Sequence, residues 1–367
     1  MHSRFETNEE VVQAAKKALN QGAWNYLVGA SESETSMRRN RLSFDKVGFR
    51  PRILVDVSKI DPSSSLLGHK LRIPVILAPI GSLQVFEPEG GVASAKAADK
   101  FGIIQTVSSV TLPSLEDISQ STNSPKIFQL YVHGDWEWTQ DIVDRVVEAG
   151  YESLCVTVDT AHYSRRERPL LMRWQPPTQR RPNDRFHQAA LTWETMAKIK
   201  ERSGLPFMVK GIATAEDAKL AVEHGVDFIW ISNHGGRQLD HCLGTMDMLP
   251  EIRNVVQDKA EIIVDGGILR GSDIVKAVAS GVSAVAIGKL QAWGLSANGV
   301  AGLVRVLEIL EDEMIVAMGL LGAPSVSALS DNFVCQADPV VLPHEMSTWV
   351  NMPFGNHVDH PYKNRIL

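Results

Sequence analysis

The sequence predicts one (β/α)8 barrel behind a helical extension, and three observations carry that expectation. From Val75 onward eight short apolar runs recur, continuous rather than alternating, as parallel strands buried on both faces require. Amphipathic stretches with helical spacing separate them. The later units also resemble one another. DAKLAVEHGVDFIWIS and DIVKAVASGVSAVAIG align without a gap, each a helix, a glycine suited to cap it and a strand, and VVEAGYESLCVTVD is a weaker third copy. Strands alternating with helices point to a barrel. An open doubly wound sheet would carry Gly-x-Gly-x-x-Gly after its first strand, and that pattern is absent.

The elements follow in order. Residues 1–74 form a leading segment, helical from Asn8 to Arg41, then irregular and proline-punctuated, with no flexible linker. The barrel occupies 75–320 and a tail 321–367, all within a single domain of 367 residues. The expected strands are Val75–Ala78, Ile103–Val107, Ile127–Tyr131, Leu154–Val158, Pro206–Val209, Phe228–Ile231, Glu261–Val264 and Ser283–Ile287. Helical spacing marks Glu89–Phe101, Trp136–Gly150, Thr214–Gly225 and Ser272–Gly281, with a long final helix over Gly302–Met318.

Composition narrows the function classes. With 44% hydrophobic and 22% charged residues the chain reads as an ordinary globular protein. A formal net charge of −6 argues against a general nucleic-acid binder. The local cluster Arg180, Arg181 and Arg185, near Trp174 and Phe186, reads as a solvated loop. Three cysteines, Cys155, Cys242 and Cys335, make neither a C-x-x-C nor a disulfide framework, which suits a reducing compartment and a cytoplasmic location. No metal-ligand spacing surrounds Cys242, and no metal is expected. No run approaches the ~18 apolar residues of a membrane span. The polar start carries no secretory signal, and the last residues are not a peroxisomal address of the S-K-L type.

Chemistry collects at the C-terminal ends of the strands, where a barrel places its reactive groups. In order these are Pro79-Ile80-Gly81, Ser108-Ser109, Gln129 with Tyr131, Thr157 with Asp159 (Arg165 and Arg166 just beyond), Lys210, Ser232-Asn233-His234, Asp265-Gly266-Gly267 and Gly288-Lys289. Polar groups at all eight ends exceed what folding alone asks for. Gly266, Gly267 and Gly288 would let backbone N–H groups approach a phosphate at the usual site of this fold, with Lys289 adding charge. Arg166 and Arg237 suit a two-pronged clamp on a carboxylate. His234, partnered by Asp159, suits a base. Lys210 suits stabilisation of negative charge developing on a cofactor ring. His133 and His162 read as structural or lid residues, Cys242 as a bystander, and Trp230 as packing on the outside of the barrel.

At these residues the chain resembles the FMN-dependent 2-hydroxy-acid oxidases and dehydrogenases, the group of glycolate oxidase, lactate oxidase and mandelate dehydrogenase. WNYLVGASESE, FRPRIL, PEGG, FQLYV, TVDT with SRRE, VKGIATAEDA, SNHGGRQLD and DGGILRGSD fall in family order over nearly the whole chain, and SNHGGRQLD is highly specific. The resemblance implies oxidation of a 2-hydroxy acid to the 2-oxo acid, with electrons passed from FMN to oxygen or another acceptor. It implies that His234 takes the proton, Asp159 supports the imidazolium, and Arg166 and Arg237 bind the substrate carboxylate with Tyr26. Tyr131 would bond the substrate hydroxyl and Lys210 would stabilise the reduced flavin. Ser108, Gln129, Thr157 and Ser232 would bond the flavin edge, and Asp265 the ribityl chain. Gly267, Gly288 and Lys289 would meet the phosphate, and Pro79, Ile80 and Gly81 would lie beside the ring. Gly81 resembles mandelate dehydrogenase and lactate monooxygenase more than the alanine-bearing oxidases. A homo-oligomer, in particular a tetramer, is also implied.

The chain departs from the family pattern at two points. Where the family has Asp-Gly-Gly-x-Arg-Arg-Gly, this chain has Leu269 at the first arginine, and Gly288-Lys289 replaces Gly-Arg. Each charge-assisted hydrogen bond is worth ~1.5–3 kcal/mol, so FMN is expected to bind less tightly than is usual. Arg270 is expected at the surface. The segment from Arg166 to Leu191 is shorter than the family's lid, which predicts an open pocket and a larger substrate; the membrane-docking insertion of mandelate dehydrogenase is missing here. Two alternatives accompany this reading: another flavin-barrel chemistry of the isomerase type, or a barrel that has lost FMN.

Overall fold

The computed structural model describes residues 5–177, 186–340, 344 and 346–349. Eight parallel strands close into a barrel: β1 (Val75–Leu77), β2 (Ile104–Ser108), β3 (Lys126–Leu130), β4 (Ser153–Thr157), β5 (Phe207–Ile212), β6 (Phe228–Ile231), β7 (Glu261–Asp265) and β8 (Ala284–Ile287). Each pairs with its sequence neighbours, and β8 returns to β1 through Val285 opposite Val75. Each predicted strand is present within two residues at either end, except that β5 runs on to Ile212. The cluster of Arg180, Arg181 and Arg185 and most of the residues beyond Val340 lie outside the described residues.

The period of two along each strand sorts side chains into two cores. Ile229, Ile231, Val264, Val285 and Val209 point outward into the core shared with the helices. Ile76, Ile104, Ile127, Cys155, Met208, Trp230, Ile263, Ala284 and Ala286 point inward and fill the barrel. Trp230 is therefore an interior residue, contrary to the outer packing expected. Two residues further along the same inward rows come Ser232, Asp265 and Lys210, so an apolar floor gives way to a polar mouth. A hairpin of Ser64–Leu66 and His69–Leu71, not foreseen, adds Leu66 and Leu71 to the interior apolar cluster.

Among the described residues three helices precede the barrel: α1 (Asn8–Ala18), α2 (Gln21–Val28) and α3 (Thr35–Asp45). Thr7 and Glu10 form a reciprocal capping box that starts α1. Val11, Val12 and Ala15 on α1 have no exposed surface; a fully buried valine contributes roughly 1.5–3 kcal/mol. The remaining helices are α4 (Gly91–Phe101), α5 (Leu115–Gln120), α6 (Trp136–Glu148), α7 (Glu167–Leu171), α8 (Phe186–Ala189), α9 (Trp193–Ser203), α10 (Ala215–Glu223), α11 (Thr245–Val256), α12 (Gly271–Ala279) and α13 (Lys289–Leu321). The final helix thus starts earlier than its spacing predicted, because a kink at Asn298 and Gly299 breaks the period. Helix α1 packs along α13, α2 meets α7, and α3 packs on the turn that carries His234. The leading segment therefore roofs the barrel mouth.

Candidate active site

The cleft opens at the mouth and is lined by Tyr26, Arg41, Ala78, Pro79, Ile80, Gly81, Phe86, Val110, Tyr131, Tyr163, Arg166, Lys210, His234, Arg237, Asp265, Gly266, Gly267, Leu269, Gly288, Lys289 and Trp293, among others. Residues more than 260 positions apart meet here because the leading helices fold over the strand ends.

His234 sits one turn past β6 in the left-handed region, φ 59°. A side chain there costs energy, and such outliers collect at functional sites. Its backbone N–H donates to Ser232 Oγ at 2.9 Å. Its Nδ1 lies 2.9 Å from Asp159 Oδ1. Burial raises the Asp159 carboxyl, but His234 and Lys210 outweigh it and hold it below the usual range, so it is ionised. The imidazole proton therefore resides on Nδ1, and Nε2 faces the cleft as an acceptor. Burial lowers the His234 pKa, and Asp159 only partly restores it. The ring is neutral at pH 7, as a base must be. The Tyr131 hydroxyl lies 3.4 Å from Nε2; burial and then Asp159 raise its pKa, so it stays a donor.

The two arginines are held by their backs. Arg237 Nη1 donates to the carbonyls of Tyr26 (2.7 Å) and Gly29 (2.7 Å), and its guanidinium carbon lies 4.9 Å from the Tyr26 ring centre. Arg166 donates from Nε to the Arg237 carbonyl at 3.1 Å and from Nη2 to Gln238 Oε1 at 3.2 Å. Among the described residues Arg166 Nη1 has no protein partner, and Arg237 Nη2 has none on the backbone, its remaining neighbour being the Tyr26 side chain, so both guanidiniums keep an amine facing the cleft. Burial and Arg166 push Arg237 down to about 10, so it remains a cation at neutral pH. Gln238, not singled out in the sequence, ties this pair to the base: its amide donates to the carbonyls of Asp159 (3.0 Å) and His162 (2.9 Å).

Deeper in the mouth, Lys210 donates to Ser232 Oγ at 2.9 Å and pairs with Asp265 at 3.3 Å. Burial lowers its pKa, but Asp265 and Asp159 outweigh this and raise it, so it is a fixed cation. Ser108 donates to Gln129 Oε1 at 2.9 Å, and all of Ser108, Gln129, Thr157 and Ser232 are buried beneath the cleft. Among the described residues Gln129 Nε2 and Thr157 Oγ1 have no partner. Buried polar atoms are ordinarily satisfied. Two orphans on adjacent strand ends, beside a fixed cation, fit the polar edge of a flavin.

The end of the cleft formed by β7, β8 and helix α3 is differently built. Gly266 and Gly267 have φ near +86° and +85°. A Cβ on either would come within 2.8 Å of Asn40, so helix α3 itself demands glycine here. Arg41, missed in the sequence, is buried in this wall; it donates to both Asp273 oxygens at 2.7 Å and to the Gly267 carbonyl at 2.6 Å. Gly288 is the N-cap of α13 without a side-chain cap. Lys289 donates to the Val28 carbonyl at 3.0 Å and lies 2.8 Å from Met37 Sδ. Arg270 turns away from the cleft, to Glu313 at 2.6 Å and the Thr348 carbonyl, and is half-buried there rather than free at the surface. Leu269 is 5% exposed and apolar. His133 keeps both ring nitrogens buried without a partner among the described residues, and His162 is exposed. The Cys242 backbone N–H bonds Ser36, and its side chain lines no part of the cleft.

Comparison with known proteins shows what the whole chain is similar to. The family model described as FMN-dependent dehydrogenase matches residues 15–336. An L-lactate oxidase of Nostoc sp. is 38% identical over 352 residues, covering 89% of this chain and 96% of its own. A peroxisomal (S)-2-hydroxyacid oxidase of Arabidopsis thaliana is 36% identical, covering 89% and 95%. The crystal structure of a mandelate oxidase superposes with a TM-score of 0.85 at 34% identity, covering 92% of this chain and 100% of that one.

Proposed function

The chain belongs to the FMN-dependent dehydrogenase family, and from that premise we propose how its own residues perform the reaction. It is an FMN-dependent oxidoreductase that converts a 2-hydroxy acid to the 2-oxo acid. FMN, when bound, supplies the acceptor for the two electrons. The open amines of Arg166 and Arg237 hold the substrate carboxylate, with Tyr26 alongside. Tyr131 holds the hydroxyl. Nε2 of His234 then removes a proton from the carbinol group, and Asp159 stabilises the imidazolium that results. Lys210, Ser232 and the orphaned atoms of Gln129 and Thr157 receive the flavin edge, Ser108 orients Gln129, Asp265 holds the ribityl chain, and Pro79–Gly81 lie beside the ring. The backbone at Gly267 and Gly288, with Lys289, receives the phosphate. The observation that carries this assignment is the convergence of a neutral imidazole and two half-committed guanidiniums on one cleft.

An anaerobic titration tests it. The FMN-loaded protein should be yellow and should bleach on addition of a 2-hydroxy acid. Yellow protein that no such acid bleaches would instead support the isomerase type, and a colourless protein that cannot be reconstituted would support a barrel that has lost FMN.

The side wall supports a bulky substrate. It consists of Phe86, Val110 and Tyr163, with Gly81 beside Val110, where an added Cβ would fall 2.8 Å from Val110 Cγ2. Turnover of aryl or long-chain 2-hydroxy acids should exceed that of glycolate, and a clear preference for glycolate would reject this refinement. Relatives named as oxidases support oxygen as the acceptor. All three thiols are free, which supports a reducing compartment such as the cytoplasm. Among the described residues no helix is long and apolar enough to cross a membrane. The exposed run Ile53-Leu54, with Val316 and Leu320, supports homo-oligomerisation, and light scattering on the purified protein would show a tetramer.

A further inference from the structure

The interior tryptophan carries a consequence for the cofactor end of the cleft. Trp230 has no exposed surface and shares the barrel interior with small side chains, Cys155, Ala284 and Ala286, which leave volume for an indole. Its ring is not merely filling. Nε1 donates to Asp265 Oδ2 at 3.0 Å. The same oxygen faces Lys210 Nζ at 3.3 Å, while Asp265 Oδ1 accepts from Ser232 at 2.8 Å. Lys210 Nζ also lies 5.7 Å from the centre of the Trp230 ring. A buried carboxylate thus divides its charge among an indole N–H, a hydroxyl and an ammonium.

We propose that Trp230 is a positioning residue that sets the electrostatics of the flavin site, by occupying Asp265 Oδ2 and so keeping Lys210 from collapsing onto that carboxylate. Charge-assisted hydrogen bonds are among the strong ones, and in a desolvated site they are not replaced by water. Without the indole N–H, Oδ2 is left to Lys210 alone. The ion pair tightens, the ammonium's field toward the cleft weakens, and the negative charge that reduction places on the cofactor loses stabilisation.

This inference rests on the reading of the cleft as an FMN site, and its test separates the two. Trp230→Phe keeps an aromatic ring and removes the N–H. Site-specific replacement by the benzothienyl analogue of tryptophan removes the N–H at unchanged shape, and serves if the smaller ring disturbs folding. Both FMN-loaded variants should show a two-electron midpoint potential lowered by about 30 mV, the equivalent of a tenfold shift in the redox equilibrium. A benzothienyl variant with the wild-type potential would overturn the proposal, even if the phenylalanine variant shifts, because the effect would then be one of packing. A second readout needs no FMN. In the apoprotein the Trp230 indole proton should be protected from hydrogen exchange, and exchange at the free rate would overturn the proposal whatever the cofactor. A protein that takes up no FMN but protects this proton would contradict the reading of the site and leave the Trp230–Asp265 bond standing.

Discussion

The two ends of the cleft spend their charges differently. At the substrate end, each cation is fixed by its rear and open at its front: Arg237 is anchored by the carbonyls of Tyr26 and Gly29, and Arg166 by Gln238. At the phosphate end, the cations are committed elsewhere: Arg41 to Asp273, Arg270 to Glu313, and Lys289 to the carbonyl of Val28. Leu269 adds an apolar side chain where a charge would serve. One end is pre-organised for an anion by side chains, and the other offers backbone N–H groups and a helix N-terminus. Chemistry and cofactor affinity should therefore separate on mutation.

The largest expected effect is at the base. Asp159→Asn should lower kcat by roughly 10²–10⁴ with FMN affinity unchanged, as steady-state kinetics and flavin fluorescence would show. The pH profile supplies the sign. His234 in the folded protein titrates below its usual value. The wild-type kcat/KM should be flat at neutral pH and fall as pH drops through that lowered value, where the base becomes protonated. Stability follows the same direction: the neutral ring is favoured by folding, so its contribution is fully present above the ordinary histidine value and is lost as pH falls through the folded one. Removing the Asp159 charge, which raises the histidine, should move the limb to still lower pH. A limb that moves upward would break the assigned pairing.

Next comes the clamp. Arg237→Lys removes the fork and the anchoring bonds behind it, and should reduce kcat/KM by roughly 10–100-fold, again sparing FMN. At the other end the expectation inverts. Leu269→Arg should tighten FMN by about tenfold with kcat unchanged, measured by equilibrium titration of the apoprotein. The smallest effect is Lys289→Met, a several-fold weakening of FMN at low salt that fades as salt is raised. Loss of turnover in FMN-saturated Leu269→Arg would collapse the distinction between the two ends.

Much of this architecture is legible in the sequence. Strands buried on both faces announce themselves as apolar runs, and polar residues at their ends announced the mouth. The same property hid Trp230: a continuous apolar run has no period of two, so the facing of Phe228–Ile231 could not be read from the run alone. The signal lay two residues on, since an inward Ser232 requires an inward Trp230. The hairpin around Gly68 escaped because three-residue strands carry too little pattern. Arg41 escaped because nothing local distinguishes a helix arginine destined for Asp273, 232 residues away. Gly266 and Gly267 carry a second constraint that no local pattern reveals, the close approach of Asn40 from helix α3.

The central claim is that His234, oriented by Asp159 and faced by two open guanidiniums, acts on a substrate held against FMN. The most direct measurement is single-turnover anaerobic reduction of the fully FMN-loaded protein by a 2-hydroxy acid that it turns over, with wild type and His234→Gln compared. The account predicts rapid bleaching of the wild type and a rate lower by roughly 10²–10⁴ in the variant at equal FMN occupancy. Equal rates in the two proteins would contradict it.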